Sequence, residues 1–158
     1  MTNTQGVLRE AVDKLCRLIA SSSNFQDEVK KYTQEAADTR IHRVAANEPD
    51  ELPRPFAVIE IGERNKTKIA EGMWDGEGFL TLTLATEMAH PDQEGESLID
   101  FADWAYAVLE DICELAGCDD HLNVREARQE QEPVYSNPTT GATVPYCWAS
   151  WQIRWARF

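Results

Sequence analysis

The stretch at residues 144–158, V-P-Y-C-W-A-S-W-Q-I-R-W-A-R-F, constrains the fold more than any other part of the chain. Successive side chains of a β-strand point to opposite faces. One face of such a strand would carry an apolar set: Cys147, Ala149, Trp151, Ile153 and Trp155. The other face mixes aromatic, polar and charged residues. This alternation predicts a long strand that buries one face, and therefore a sheet whose apolar side must be covered.

Two amphipathic helices are predicted, and their apolar stripes could cover that sheet. Residues 4–20 carry apolar side chains at intervals of three and four: Val7, Leu8, Ala11, Leu15, Leu18 and Ile19. The second helix has the clearest stripe in the chain: Leu98, Phe101, Ala105, Val108, Leu109, Ile112 and Leu115. We expect Ser97 to cap this second helix and Gly117 to end it.

Strand-like patterns occupy much of the remaining chain. The main predicted strands are residues 56–61, 66–74, 79–87 and 122–132, and residues 41–46 are a candidate for a further short strand. Asp75-Gly76-Glu77-Gly78 separates two of them and predicts a hairpin turn. Loops are predicted at residues 47–55, which contain three prolines, and at residues 133–145. Residues 25–40 give no clear signal.

The order of the main elements is α-β-β-β-α-β-β within 158 residues, a length that suits one domain, residues 1–158. Helices segregated from hairpin-connected strands indicate the α+β class. We expect a mainly antiparallel twisted sheet flanked by the two main helices. The face that carries Ile59, Leu82 and Trp151 should meet the helices.

Charge restricts the possible partners. The formal net charge is −13 and the pI is near 4.6, which argues against a protein that grips DNA or anionic lipid through a basic surface. Between Glu87 and Asp120 there are eleven acidic residues and no lysine or arginine. On the second helix they form a predicted acidic face: Asp100, Asp103, Glu110, Asp111 and Glu114. This face could keep the protein soluble or could line a passage for DNA, and the sequence leaves both possibilities open.

Targeting signals are not evident in the sequence. No apolar run approaches the roughly 20 residues needed to span a bilayer, and the first residues lack a basic region followed by an apolar core. We therefore expect no membrane association and no signal peptide. The four cysteines are expected to be reduced thiols: Cys16, Cys113, Cys118 and Cys147.

Chemistry-bearing motifs are few. Cys113, Cys118 and His121 form C-x4-C-x2-H, which could bind zinc with an aspartate as fourth ligand, but a cysteine packed as a small apolar side chain is the favoured interpretation. Asp100 and Asp103 could act as an acid–base pair, although a solvated face explains them more simply. No nucleophile elbow, phosphate loop, dinucleotide fingerprint or zinc-protease motif occurs. We predict no catalytic residues, no metal, no cofactor and no enzymatic activity.

The sequence resembles a family of virion proteins. The N-terminal helix is followed by P-R-P-F-A-V-I-E-I-G-E, then by G-F-L-T-L-T-L, then by the helix F-A-D-W-A-Y-A-V-L-E-D-I and a late aromatic strand. This order is similar to that of the tail terminator (tail-completion) and head–tail joining proteins of long-tailed bacteriophages and prophages. The likeness covers most of the chain and lies in the order of the elements and the kinds of residue they contain. The long segments 25–55 and 133–145 depart from a minimal version of the family.

The resemblance implies a structural role. Such proteins form hexameric rings that sit on the tail tube, stop its polymerisation and meet the head connector. The expected partners are therefore further copies of this chain, the tail tube protein and the head–tail connector or neck protein, without specific nucleic-acid binding. The expected location is the virion tail or neck, after assembly in the bacterial cytoplasm. Interface residues are expected in the two loops: Asn47, Pro53, Asn137, Thr140 and Gly141.

Two functions from other classes are also compatible with the sequence. A small acidic binding protein could mimic the charge of DNA and inhibit a nucleic-acid enzyme, and it would be a monomer or dimer. A small enzyme that uses a carboxylate pair would need a pocket and a carboxyl group with an elevated pKa.

Overall fold

Three helices and one five-stranded sheet make up the part of the chain that the computed structural model describes, which is residues 6–43, 52–70, 73–90, 92–117, 122–136 and 145–157. The elements in chain order are α1 (Val7–Ser21), α2 (Ser23–Lys30), a 3-10 turn (Ala37–Arg40), β1 (Ile41–His42), β2 (Phe56–Ala70), β3 (Met73–Glu87), α3 (Glu94–Ala116), β4 (Leu122–Ser136) and β5 (Tyr146–Arg157). The strand order is β1-β2-β3-β5-β4, and only the β1–β2 pair is parallel. The predicted α+β class with a mainly antiparallel sheet is confirmed.

The main core lies between the helices and one face of the sheet. The five residues predicted for the buried face of β5 are all at most 3% exposed. Ile59 and Leu82 lie on the same face and are buried with them. From the helices, Leu15, Ile19, Phe101, Val108 and Ile112 join this cluster. The two amphipathic helices therefore cover the apolar face of the sheet, as predicted.

The opposite face of the sheet carries a second, smaller cluster. Phe56, Val58, Ala85 and Tyr146 are buried there, and Leu52 packs against them. The guanidinium of Arg54 lies 4.6 Å from the centre of the Tyr146 ring, close enough for a cation–π contact. The end of the predicted loop at residues 47–55 therefore covers one end of this second face.

The helix boundaries differ from the predictions at one important point. α3 begins at Glu94. Its first turn contains Glu94 and Glu96, and the positive end of the helix dipole stabilises acidic side chains there. Ser97 therefore does not cap the helix, and its buried hydroxyl instead bonds the backbone N–H and C=O of His90. Gly117 ends α3 with a φ of +59°, as expected for glycine. Leu115, assigned to the apolar stripe, is 51% exposed.

The predicted turn at Asp75-Gly76 is wrong. Asp75 and Gly76 lie inside β3 and pair with Thr67 and Lys66, and the chain reverses between Ala70 and Met73, which pair with each other. The predicted strand at residues 66–74 is thus divided between β2 and β3. Asp75-Gly76 does not form a turn because β2 and β3 remain paired on both sides of it.

Two further segments are more regular than predicted. The unassigned residues 25–40 contain most of α2 and the 3-10 turn. β4 continues through Pro133 to Ser136, although a loop was predicted from residue 133. β4 is an edge strand whose pairing with β5 shifts between Gln131 and Val134. Proline is tolerated there because the missing N–H interrupts no regular ladder.

Candidate assembly surfaces

The β2–β3 hairpin extends past the rest of the sheet. β1 pairs with β2 only at Ala57 and Val58, and β5 follows β3 only as far as Gly76. We call residues 62–70 and 73–78 the hairpin arm. At about 3.3 Å per residue, its β2 part is roughly 30 Å long. Residues 76–78 of the arm still pair with β5, so in the described part of the chain only the outer end of the arm, residues 67–70 and 73–75, is a ribbon of two strands.

A β-bulge marks the base of the arm. Ile61 pairs with Leu80 and Arg64 pairs with Gly78, so β2 advances three residues while β3 advances two. Gly62 lies in the bulge, where an added Cβ would be 2.7 Å from the backbone oxygen of Phe79. Beside it, Ile61 is 67% exposed. The sequence must therefore keep a glycine at this bend.

Basic residues alternate along the β2 part of the arm. Arg64, Lys66 and Lys68 pair with Gly78, Gly76 and Trp74 of β3. Asp75 and Glu77 take the intervening positions of β3 and pair with Thr67 and Asn65. The sequence shows the alternation of basic residues, and the strand register shows which residues they pair with.

The outer side of α3 combines acidic and apolar residues. Asp103, Glu110 and Glu114 are exposed, and none takes part in a hydrogen bond or ion pair among the described residues. Ile99, at 57% exposure, lies beside them on the helix surface. We call this stripe the outer α3 face: Ile99, Asp103, Glu110 and Glu114. Tyr106 is half-exposed, but it donates its hydroxyl to Gln129 Oε1 of β4 at 3.1 Å and meets the Trp151 ring edge-on. Asp100 is also exposed, but its carboxylate lies 2.7 Å from His90 Nε2.

Asp111 does not belong to the predicted acidic face. Its Oδ2 accepts hydrogen bonds from Ser22 Oγ at 2.7 Å, Asn24 Nδ2 at 2.9 Å and Asn24 N at 3.2 Å. Ser22 Oγ in turn accepts from Phe25 N and so caps α2. Partial burial opposes the charged form, but these hydrogen bonds outweigh it and hold the pKa of Asp111 below its usual range. The carboxylate therefore fastens the α1–α2 corner to α3.

An aromatic contact reinforces the same corner. Trp104 of α3 donates its indole N–H to the backbone oxygen of Asn24 at 3.1 Å. Its ring stacks with Phe25 at a centroid distance of 6.3 Å. The run Ser21-Ser22-Ser23-Asn24 was interpreted only as a helix break, and its capping pattern ahead of Phe25 was the signal that could have indicated α2.

The structure describes one of the five predicted interface residues. Pro53 is exposed and precedes the buried Arg54. Asn47 lies outside the described residues, as do Asn137, Thr140 and Gly141. The interface prediction for these loops therefore stays a prediction.

The residues with catalytic or ligand chemistry do not form a site within the described ranges. Ser97, His90 and Asp100 have the residue types of a hydrolytic triad, but Ser97 Oγ bonds the backbone of His90 and not its imidazole. Cys113 is half-buried against the main core, while Cys118 and His121 lie outside the described residues. No cluster of three or more metal-ligating side chains occurs in the described part of the chain.

Buried polar groups elsewhere stabilise the fold. Glu28 of α2 accepts a hydrogen bond from Thr86 of β3 at 2.6 Å and pairs with Lys31 at 2.7 Å. His42 is partly buried, and burial together with the nearby Arg40 lowers its pKa. At the surface, Asp13 of α1 pairs with Arg43 just after β1. The Glu28–Thr86 and Asp13–Arg43 contacts each join two elements of the fold.

Comparison with known proteins gives no family assignment: no protein-family model matches the chain, and no curated protein matches it. Among the described residues, no helix combines the length and apolar character required to cross a membrane.

Proposed function

We propose that this chain is a structural virion-assembly protein of the tail-terminator type, which forms a ring at the end of the tail tube, ends its polymerisation and joins it to the head or neck. The hairpin arm carries this proposal. A two-stranded ribbon is marginally stable in water without further packing. A chain that extends such a ribbon past its own core is therefore best understood as one part of an assembly.

A closed ring requires two different, complementary patches on each subunit. The hairpin arm, whose sequence has three basic and three acidic residues, and the acidic outer α3 face belong to different parts of the fold, which suits such a contact. The net charge of −13 would also disfavour adhesion to DNA passing through the ring, because like charges repel. These properties, together with the resemblance in element order, support a role in assembly.

Light scattering across a concentration series tests the proposal. The expected result is a species of about six chain masses of 17.9 kDa that increases with concentration, and electron microscopy should show annular particles. Adding purified tail tube protein should place these rings at tube ends and fix the length of the tubes. Rings that leave tube length unchanged would contradict the terminator role.

A small acidic binding protein is the alternative, and it is favoured by Asp103, Glu110 and Glu114, which are exposed and have no partner among the described residues. This function requires a monomer or dimer that competes with DNA for a basic protein. A wild-type chain that stays below trimer mass at every concentration and displaces DNA from a basic DNA-binding enzyme would replace the ring proposal with this one.

A further inference from the structure

An open cleft lies beside α1, where α2, the 3-10 turn and β1 approach it. The cleft consists of two hollows of about 440 and 540 Å³, which adjoin because both are lined by Ala20 and Asp38. We call it the α1 cleft, and we propose that it receives the outer α3 face of a second copy. This inference rests on the proposed ring and names the surface that would accept one patch of the neighbouring subunit.

The inner wall of the α1 cleft is apolar and consists mostly of small side chains. The partly or fully buried residues that form it are Cys16, Ala20, Val29, Ala37 and Ile41. All of these except Ala20 also pack in the main core, so the body of the protein holds the wall in place. A helix that binds in a groove uses apolar side chains as anchors. Ile99 of the outer α3 face, at 57% exposure, supplies such an anchor.

The α1 cleft has a charge balance opposite to that of α3. The charged residues that line the cleft, or pair with a residue that lines it, are four cations and three acids: Arg17, Lys30, Arg40 and Arg43, and Asp13, Glu35 and Asp38. Arg17 and Lys30 are exposed and have no hydrogen bond or ion pair in the described part of the chain. Residues 87–120, by contrast, contain eleven acids and no lysine or arginine. Complementary charge favours contact between the two surfaces.

Arg40 strengthens the positive side of this balance. It is only 8% exposed, and its Nε has no hydrogen-bond partner within the described ranges. Its Nη2 lies 3.9 Å from Glu35 Oε2, and the side chain of Glu35 is 64% exposed. Water and salt screen a buried charge less than an exposed one, so Glu35 offsets the field of Arg40 only in part. The α1 cleft therefore favours an acidic partner.

The arrangement of the elements favours docking between copies over docking within one chain. α3 makes its main sheet contacts with β4 and β5, whereas the 3-10 turn contacts β1, at the other edge of the five described strands. α1 and α2 each contact both α3 and the 3-10 turn, and so lie between them. The α1 cleft and the outer α3 face are therefore different patches of one subunit, as a head-to-tail contact requires.

Reciprocal charge reversal tests the docking in the full chain. The cleft variant carries Arg17→Glu and Lys30→Glu, and the helix variant carries Asp103→Lys and Glu110→Lys. In each variant alone, the two surfaces no longer have opposite charge, and we expect association to weaken at least about tenfold. In an equimolar mixture with the variants alternating, every contact again joins surfaces of opposite charge. We therefore expect the mixture to recover the mass of the wild-type assembly.

Cys16 provides a second measurement that needs no substitution. Its thiol lines the α1 cleft, so a docked helix should cover it. We expect N-ethylmaleimide to label Cys16 several-fold more slowly in the wild-type assembly than in the same chain diluted until it dissociates. Peptide mapping by mass spectrometry would follow this cysteine separately from the others.

Two matched controls change the same amount of charge elsewhere. Arg9→Glu with Arg128→Glu corresponds to the cleft variant, and Glu60→Lys with Glu132→Lys corresponds to the helix variant; all four positions are exposed. Neither control should change the assembly mass, and circular dichroism should show that all variants fold. The wild-type assembly should also weaken as salt is raised, because charge pairs between the copies are screened.

The outcomes separate this inference from the proposed function. Rings that persist in both reversal variants overturn the docking and leave the ring intact. Loss of assembly in each variant without recovery in the mixture also overturns the docking, since the two surfaces then do not face each other. Equal labelling of Cys16 in the assembled and dissociated wild type overturns it whatever the variants do. A wild-type chain that never assembles overturns the ring and the docking together.

Discussion

Asp111 shows how one carboxylate on a helix rich in acids can have a role different from its neighbours. Glu110 and Asp111 are adjacent in sequence, yet Glu110 faces solvent and Asp111 joins α3 to the start of α2. A carboxylate beside the N-terminus of a helix is favoured by the exposed N–H groups and by the helix dipole. This residue therefore contributes to folding rather than to the acidic surface.

Replacement of Asp111 by Ala should destabilise the protein. The change removes three hydrogen bonds to an ionised acceptor and leaves Asn24 without them, so we expect the free energy of unfolding to fall by about 2 kcal/mol. Urea denaturation measures the change. Glu110→Ala is the control and should stay within about 0.5 kcal/mol of wild type. Equal effects of the two substitutions would contradict the assigned role.

The ionisation of Asp111 should make the stability of the protein depend on pH. Because the pKa of Asp111 is lower in the folded state than its ordinary value of 3.8, its charge stabilises the fold fully above that value, and this stabilisation is lost as the pH falls through the folded-state pKa. The stability difference between wild type and Asp111→Asn should therefore be largest near neutral pH and should shrink in strong acid. A constant difference between neutral pH and strong acid would be inconsistent with a hydrogen-bonded carboxylate.

At the scale of elements, the β2–β3 hairpin is defined by its bulge more than by its turn. The extra residue at the bulge, between Ile61 and Arg64, sets which residues of β2 oppose Gly76 and Gly78. A one-residue change of register moves every side chain of a strand to the other face. The strand pairing of the arm therefore depends on the bulge, and the bulge depends on close backbone approach at Gly62.

Substitution of Gly62 by Ala should destabilise the hairpin. The new Cβ would meet the backbone oxygen of Phe79 at 2.7 Å, and backbone cannot move aside as a flexible side chain can. We expect a loss of about 1–3 kcal/mol, the usual cost of overpacking. Thermal and urea denaturation would detect it. Gly95→Ala is the matched control, because it lies in the first turn of α3 with open space around it and should be neutral or slightly stabilising.

At the scale of the whole molecule, the sheet is covered on one side by helices and at one end of the other side by the segment that contains Leu52 and Arg54. Cys147 lies on β5, fully buried in the main core. Burial, assisted by the nearby charge of Glu94, raises its pKa to about 11. Reagents should therefore reach this thiol only when the core opens, which makes it a reporter of global stability.

Thiol labelling should distinguish Cys147 from the half-buried Cys16 and Cys113. With iodoacetamide near pH 8, we expect Cys147 to react only through unfolding, so that its rate rises with urea in proportion to the unfolded population. Peptide mapping by mass spectrometry would assign each modified cysteine. Labelling of Cys147 in native buffer at the rate of Cys16 would show that the core opens locally.

The amino-acid sequence by itself determined the class of fold and the faces of its main elements. The alternation in β5 and the stripe of α3 identified the buried faces, with Leu115 as an exposed exception, because spacing within one element decides which side chains can share a face. The sequence also showed where the acidic residues lie along α3. It did not show that Asp111 stabilises the α1–α2 corner while Glu110 faces solvent.

Only the tertiary structure decided the features that depend on partners distant in the chain. Asp111 helps to cap the start of α2 because Ser22, 89 residues away in the sequence, lies beside it in the fold. Asp75-Gly76 remained inside a strand because β2 and β5 pair on either side of it. Arg64 pairs with Gly78 because a bulge shifts the register of β2 after Ile61. Local signals predict elements, whereas register and contacts between elements are settled only when the whole core is packed.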